Sequence, residues 1–221
     1  MQPLPETYPI NVIVADQACL VVGGGRVAAH KANGLLRAGA RVTIVAPTVD
    51  EALVDDPAIE VLRRRYRSSD LEGRRLVITA TNSGEVNAQV ALDARTVGVL
   101  VNSADDPANC DFILPAIARQ GDLSIAVSTR GRSPAIATWL KKRFEDEFDS
   151  RYQELLDLAS EVRQELRSTI GTSELPGWGN ALDEAFKLIS DGAQDEARRA
   201  LRSFFGIEDS TTPYVTAEVA R

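Results

Sequence analysis

The feature that most constrains this chain is Gly23-Gly24-Gly25-Arg26-Val27-Ala28, which directly follows the apolar run Ala18-Cys19-Leu20-Val21-Val22. The run predicts a buried strand, and the stretch from Val27 to Ala38 has helical periodicity. Strand, glycine turn and helix in that order fit G-x-G-x-x-G/A, the one context in which the pattern has a mechanism. Gly23 permits the tight turn, Gly25 lets a pyrophosphate approach the backbone, and Ala28 allows the helix to pack closely on the sheet. The helix N-terminus supplies N–H groups and the positive end of its dipole. The rival reading is a plain glycine turn.

The next elements in the chain support a dinucleotide site. Arg41 to Val45, Ile59 to Leu62, Leu76 to Ala80 and Gly98 to Val101 read as further strands, with a helix from Glu85 to Arg95. Alternation of this kind is the sign of an α/β fold with a parallel, doubly wound sheet. After Asp105-Asp106-Pro107 the pattern changes. Phe112 to Pro115 and Leu123 to Ser128 read as strands of an added antiparallel ribbon, separated by a short turn around Ala116 to Gln120. A helix then begins at Ser133-Pro134, with serine as N-cap, and carries Ile136, Trp139, Leu140 and Phe144 at helical spacing. From Tyr152 the chain reads as helical, with Tyr152, Leu155, Leu156, Ala159, Val162 and Leu166 on one face. Helices around Ala181 to Ile189 and Glu196 to Phe205 come after the breaker Leu175 to Gly179.

Composition narrows the function classes. A net charge of -7 over 221 residues works against binding to nucleic acid, and the run Arg63-Arg64-Arg65 with Arg67 reads as a solvated edge strand or loop. Two cysteines, Cys19 and Cys110, and a single histidine give neither a disulfide framework nor a metal-ligand cluster. No apolar run approaches the roughly 20 residues of a membrane span, and the first residues lack the pattern of a secretory signal. The expectation is a cytoplasmic protein with no membrane or nucleic-acid partner and no bound metal.

Three further places carry chemistry. The second strand ends in Val45-Ala46-Pro47-Thr48, without the acid that usually meets the ribose hydroxyls of NAD. Asn102-Ser103-Ala104-Asp105-Asp106 stands at the carboxyl end of a strand, where an acid faces the ligand cleft or starts the turn before Pro107. Ser128-Thr129-Arg130-Gly131-Arg132-Ser133-Pro134 gathers hydroxyls, guanidinium groups and a helix N-terminus, which suits a polycarboxylate or phosphate, or else is a capping loop with solvated arginines.

A resemblance goes further. Val21 to Ala28 with Lys31, Ala38-Gly39-Ala40, Val45-Ala46-Pro47, Ala80-Thr81 with Asn87, Val101-Asn102 before Asp105-Asp106-Pro107, Cys110-Asp111-Phe112-Ile113, Pro115-Ala116-Ile117 and Ser133-Pro134 together resemble the precorrin-2 dehydrogenase/sirohydrochlorin ferrochelatase family. The resemblance runs from about Tyr8 to Phe148. It implies an N-terminal Rossmann domain over 1–113, a dimerisation region over 114–149 and a helical domain over 150–206, while residues 207–221, rich in Asp, Ser and Thr, read as a flexible tail. It also implies NAD-dependent oxidation of precorrin-2 to sirohydrochlorin by a homodimer, with ferrous iron as a second substrate where chelation is added.

By motif the catalytic aspartate falls on Asp105. The expected cofactor contacts fall on Gly23, Gly24, Gly25, Arg26, Val27, Ala46, Pro47, Thr48, Thr81 and Asn102. Substrate carboxylates are expected at Ser128, Thr129, Arg130, Arg132 and Lys141. Two departures stand out: His30 where arginine is common, and Thr129-Arg130-Gly131 where a hydroxyl residue is followed by two glycines. The reading from another class is a Rossmann nucleotide-sensing module without catalysis.

Overall fold

In the computed structural model, residues 6–53, 57–104 and 106–207 are described. The chain divides between Leu114 and Pro115 into two compact units. The first is a five-stranded parallel sheet in the order β3-β2-β1-β4-β5. Its strands are β1 Ala18–Val22, β2 Arg41–Val45, β3 Ile59–Leu62, β4 Leu76–Thr79 and β5 Leu100–Ser103. Helix α1, Arg26–Arg37, crosses from β1 to β2, and α2, Gly84–Val97, from β4 to β5. Central strands are covered on both faces, which is why they read as unbroken apolar runs. Cys19, Val21, Val42, Ile44 and Ile78 join Ala28 and Ala32 of α1 on one face; Leu20, Val22, Val45 and Val77 join Val90, Ala91 and Ala94 of α2 on the other.

Strands β1, β2 and β3 fall on the expected residues, and the other elements of this unit depart from expectation by one or two. Helix α2 runs on to Val97 because Gly98, at φ 75°, supplies its left-handed C-cap, and β5 therefore starts at Leu100 rather than Gly98. The arginine run is not simply solvated. Arg64 forks onto Asp70, with Nη1 donating to Oδ2 at 2.8 Å and Nη2 to Oδ1 at 2.6 Å, and the Arg67 N–H donates to Oδ2 at 2.9 Å. Asp70 thereby caps the 3-10 turn Ser68–Leu71, whose Leu71 is sealed in the core.

In the second unit the ribbon is real but shifted. Strand β6 is Ala116–Gln120, where a turn was expected, and it pairs antiparallel with β7, Leu123–Val127, through the tight turn Gly121-Asp122. Phe112 to Pro115 is not a strand: proline has no N–H for a ladder, and the Phe112 carbonyl accepts from Asn102 Nδ2 at 2.9 Å instead. Helix α3, Pro134–Glu147, starts as expected, its Ser133 N-cap accepting from the Ile136 N–H.

Helices α4 Ser150–Ile170, α5 Trp178–Ser190 and α6 Gln194–Phe204 enclose their own core. On α4 the buried line is Leu158, Val162 and Leu166; Leu156, expected inside, is exposed because the stripe follows the residues facing Ala181, Ala185 and Leu201. No helix among the described residues is long and apolar enough to cross a membrane.

Asp70 gives the fold a pH signature. The Arg64 guanidinium, assisted by the Arg67 N–H, holds its carboxyl below the usual range against the opposing effect of burial. A depressed folded-state pKa stabilises fully above the unfolded value near pH 4, and that contribution is lost as pH falls through the folded value. Asp70→Asn should cost about 1–2 kcal/mol at pH 7, with the gap in thermal midpoint from wild type closing in scans taken down to about pH 3.

Candidate dinucleotide-binding site

Strand β1 ends where three glycines meet the carboxyl ends of its neighbours. The Gly23 N–H donates to the Val45 carbonyl at 3.0 Å, extending the β1–β2 ladder by one bond. Gly23 then turns at φ 129°, and a Cβ there would run into the Ala80 carbonyl at the end of β4. At Gly24 a Cβ would strike the Thr48 carbonyl beyond β2, and the Gly24 carbonyl accepts the Asp50 N–H at 2.7 Å. Gly25 differs: it has an ordinary φ of -93°, and a Cβ added to it would meet nothing within 4 Å. Close packing therefore demands the first two glycines, while at Gly25 the space above the backbone is open.

Gly25 is also the N-cap of α1. No side chain caps this helix and no acid stands in its first turn, so its leading N–H groups face outward without a side-chain acceptor. Helices α2 and α3, by contrast, are capped by Ser83 and Ser133. Helix α5 also starts uncapped behind a glycine, Gly177; what marks α1 is that it follows β1 at the carboxyl ends of the parallel strands, where such a helix start makes an anion cradle, and the residues present fit a pyrophosphate. Ala28, fully buried, packs α1 onto the sheet, while Arg26 and Val27 are exposed beside the cradle. After β2, Ala46 is buried and Pro47 and Thr48 are exposed. All of these lie at carboxyl ends of strands around the β1 crossover, the usual place for a ligand in an open α/β sheet.

The ends of β4 and β5 are tied down by side chains. Thr81 is bracketed by Asn87, whose Oδ1 accepts from the Thr81 hydroxyl at 2.8 Å and whose Nδ2 donates to the Thr81 carbonyl at 3.1 Å. Thr79 Oγ1 and Ser103 Oγ are bonded at 3.0 Å and both residues are buried. Asn102, expected at the cofactor, is 6% exposed and turns its amide onto the Phe112 carbonyl, so its work is to hold the segment beyond β5.

Cys110 assists Asn102 in this. Its sulfur accepts from the Ser103 N–H at 3.1 Å and lies 3.3 Å from the Ser103 carbonyl and 3.4 Å from that of Asp106. Burial pushes the thiol pKa up, with the nearby Asp106 and Asp111 charges adding to the rise, so the proton it donates stays in place. Asp106 accepts from Asn109 Nδ2 at 2.7 Å and opens the 3-10 turn Pro107–Asn109. Asp105 lies outside the described residues.

In the second unit, Ser128 to Ser133 closes on itself. The Thr129 hydroxyl bonds both the carbonyl and the N–H of Ser133 at 3.2 Å, and the Arg132 N–H donates to the Thr129 carbonyl at 3.0 Å. Arg130 and Gly131 are consecutive residues with left-handed backbone, φ 53° and 72°, and the Arg130 N–H donates to Ser128 Oγ. Lys141 pairs with Glu145 at 3.4 Å. The loop thus places Ser128, Thr129, Arg130 and Arg132 together, while Lys141 is paired along α3. Periodicity could not reveal the roles of Asn87 and Cys110, although both stand in the motifs that carry the family resemblance.

By fold and glycine cradle, the first unit belongs to the Rossmann dinucleotide-binding class. A family model described as "Putative NAD(P)-binding" matches residues 10–116, and another, "Sirohaem biosynthesis protein central", matches 120–147. The chain is 39% identical over 202 residues to a siroheme synthase of Methylococcus capsulatus, covering 89% of this chain and 43% of the relative. It is 44% identical over 195 residues to one of Pseudomonas putida, covering 79% of this chain and 42% of the relative. It therefore spans less than half the length of these curated relatives. The solved structure of SirC, a precorrin-2 dehydrogenase, matches with a TM-score of 0.64 and 25% identity, over 90% of this chain and 98% of that one. The similarities thus fall on siroheme synthases and a precorrin-2 dehydrogenase, with an NAD(P)-binding first unit.

The two kinds of glycine make opposite forecasts. Gly25→Asp has room for its side chain but sets a negative charge where a phosphate would sit. It should fold, with a melting temperature at or above that of wild type because aspartate can cap α1, and lose NAD binding in calorimetric titration. Gly23→Ala should instead lose stability outright, because its Cβ meets backbone and its φ is unfavourable for alanine.

Proposed function

We propose that this chain oxidises precorrin-2 to sirohydrochlorin with NAD as hydride acceptor. The observation that carries the reading is the open phosphate cradle at Gly25, in a chain that matches a precorrin-2 dehydrogenase over 98% of that protein's length. When bound, NAD supplies the nicotinamide ring that takes the hydride. The protein's part is to hold the dinucleotide through the N–H groups of α1, with Ala46, Pro47 and Thr48 lining the adenosine side and Thr81 the wall beside Gly23. Between Val45 and Leu53 the sequence holds no lysine or arginine but does hold Asp50 and Glu51. A 2′-phosphate would find no cation in that stretch, which favours NAD over NADP.

Oxidation removes a hydride and a proton from the reduced macrocycle. Asp105 is the proposed proton acceptor, and the Cys110 side chain is bonded to Ser103 and Asp106 on either side of it in the sequence. Arg130 and Arg132 are the proposed partners of substrate carboxylates, since an anionic tetrapyrrole approaching a protein of net charge -7 needs a local positive field.

The active form is proposed to be a homodimer in the cytoplasm. Ile136 and Trp139 of α3 are 52% and 57% exposed, and large apolar side chains grouped in this way on a surface suit a partner of the same kind. Sedimentation at micromolar concentration should give a dimer, and a fully active monomer would contradict this.

The decisive kinetic comparison is between neighbouring acids. Asp105→Asn should lower NADH formation from precorrin-2 by about 10²- to 10⁴-fold, the usual range for a general base, with NAD affinity little changed. Asp106→Asn should leave the rate largely intact, because its carboxylate serves Asn109. Wild-type turnover in the first variant, or a larger loss in the second, would remove Asp105 from the mechanism.

A further inference from the structure

Asn87 sits on the first turn of α2 and is 6% exposed. Val90, Ala91 and Ala94 of the same helix are fully buried in an apolar cluster, so an amide here is costly unless each polar atom finds a partner. Its side chain bonds to Thr81 at three points. Oδ1 accepts from the Thr81 hydroxyl at 2.8 Å and from the Thr81 N–H at 3.4 Å, and Nδ2 donates to the Thr81 carbonyl at 3.1 Å. The Thr81 hydroxyl in turn accepts the Ser83 N–H at 3.1 Å, joining the start of α2 to the same knot.

The geometry matters because of which peptide is held. The Thr81 N–H and the Ala80 carbonyl belong to one planar peptide unit, and it is the Ala80 carbonyl that lies against Gly23. The Ala80 N–H is fixed separately, donating to the Val22 carbonyl at 2.8 Å. With that nitrogen anchored, the remaining freedom at the end of β4 is rotation of the Ala80–Thr81 peptide plane. Such a rotation would push the carbonyl toward the glycine loop or away from it, and Asn87 is the group that restrains it.

We infer that Asn87 is a positioning residue for the dinucleotide: by clamping both ends of Thr81 it sets the Ala80–Thr81 peptide against Gly23, so that the cradle is shaped before the cofactor arrives. This rests on the dinucleotide site but not on the identity of the oxidised substrate. Its energetic role is preorganisation: the affinity of a site rises when the ordering of its wall is already complete.

The test is NAD titration by calorimetry on the full chain, with melting curves and with precorrin-2 turnover at saturating NAD. Asn87→Leu, close in size and without polar atoms, should fold and raise the dissociation constant about tenfold, the equivalent of one or two lost hydrogen bonds. Its kcat at saturating NAD should stay within about twofold of wild type. Asn87→Asp keeps an acceptor for the Thr81 N–H but sets a carboxylate oxygen against the Thr81 carbonyl in place of the donor, so it should weaken NAD binding at least as much, about tenfold or more. A purely structural role predicts lower melting temperatures with an unchanged dissociation constant. A wild-type constant in folded Asn87→Leu overturns the inference; if that variant does not fold, a wild-type constant in Asn87→Asp does so. If the wild-type protein binds neither NAD nor NADP, the dinucleotide reading itself fails and takes this inference with it, whereas binding without precorrin-2 oxidation leaves it intact and overturns only the proposed activity.

Discussion

Contact between Gly23 and the Ala80 carbonyl is the constraint on which the first unit turns. Strand β1 is paired on both sides, to β2 and β4, and its register with each is continuous to Val22. One residue further on, the chain must leave the sheet, and it does so by passing over the end of β4 at a distance no side chain tolerates. Because the exit is that tight, α1 begins at once, its Ala28 and Ala32 lie directly on the sheet, and its N-terminus points over the strand ends. Cradle, helix packing and crossover are thus consequences of one backbone approach.

Side chains then take over where backbone pairing stops. Beyond β4 the chain is held by Asn87 and Thr81; beyond β5 it is held by Asn102 and Cys110, with Asp111 accepting the Val101 N–H at 3.2 Å and Arg95 Nε at 3.1 Å. Loops at a binding face carry polar backbone groups that cannot be left unpaired. Here they are met by amides, a thiol and a carboxylate, which tie down the ends of β4 and β5.

What could be read in the residues, and what could not, divides along the same line. Strands β1, β2 and β4 and the glycine turn were legible because burial on both faces leaves continuous apolar runs, and because a glycine at positive φ has few substitutes. Helix α3 was legible from Ser133-Pro134, a cap and a first-turn proline. The ribbon was misplaced by a few residues because Phe112-Ile113-Leu114 is as apolar as a strand, and only the bond from Asn102 to the Phe112 carbonyl shows why it is not one. Asn87 and Cys110 lie within the motifs of the family resemblance, yet their roles depend on partners six and seven residues away through side-chain bonds. Such bonds leave no trace in any periodicity.

The bare start of α1 has a cost that shapes how this protein can change. A side-chain cap is worth about 0.5–2 kcal/mol, and α1 forgoes it where α2, α3 and α4 take it from Ser83, Ser133 and Asp149. Residues that would restore it at position 25, serine or aspartate, would direct their oxygens at the same N–H groups a phosphate needs. Selection for heat tolerance is therefore barred from one of its simplest routes here and must act elsewhere, on the helical core of α4 to α6 or on the surface. The uncapped helix end is in effect stability held in reserve, restored by mass action whenever the anion is present.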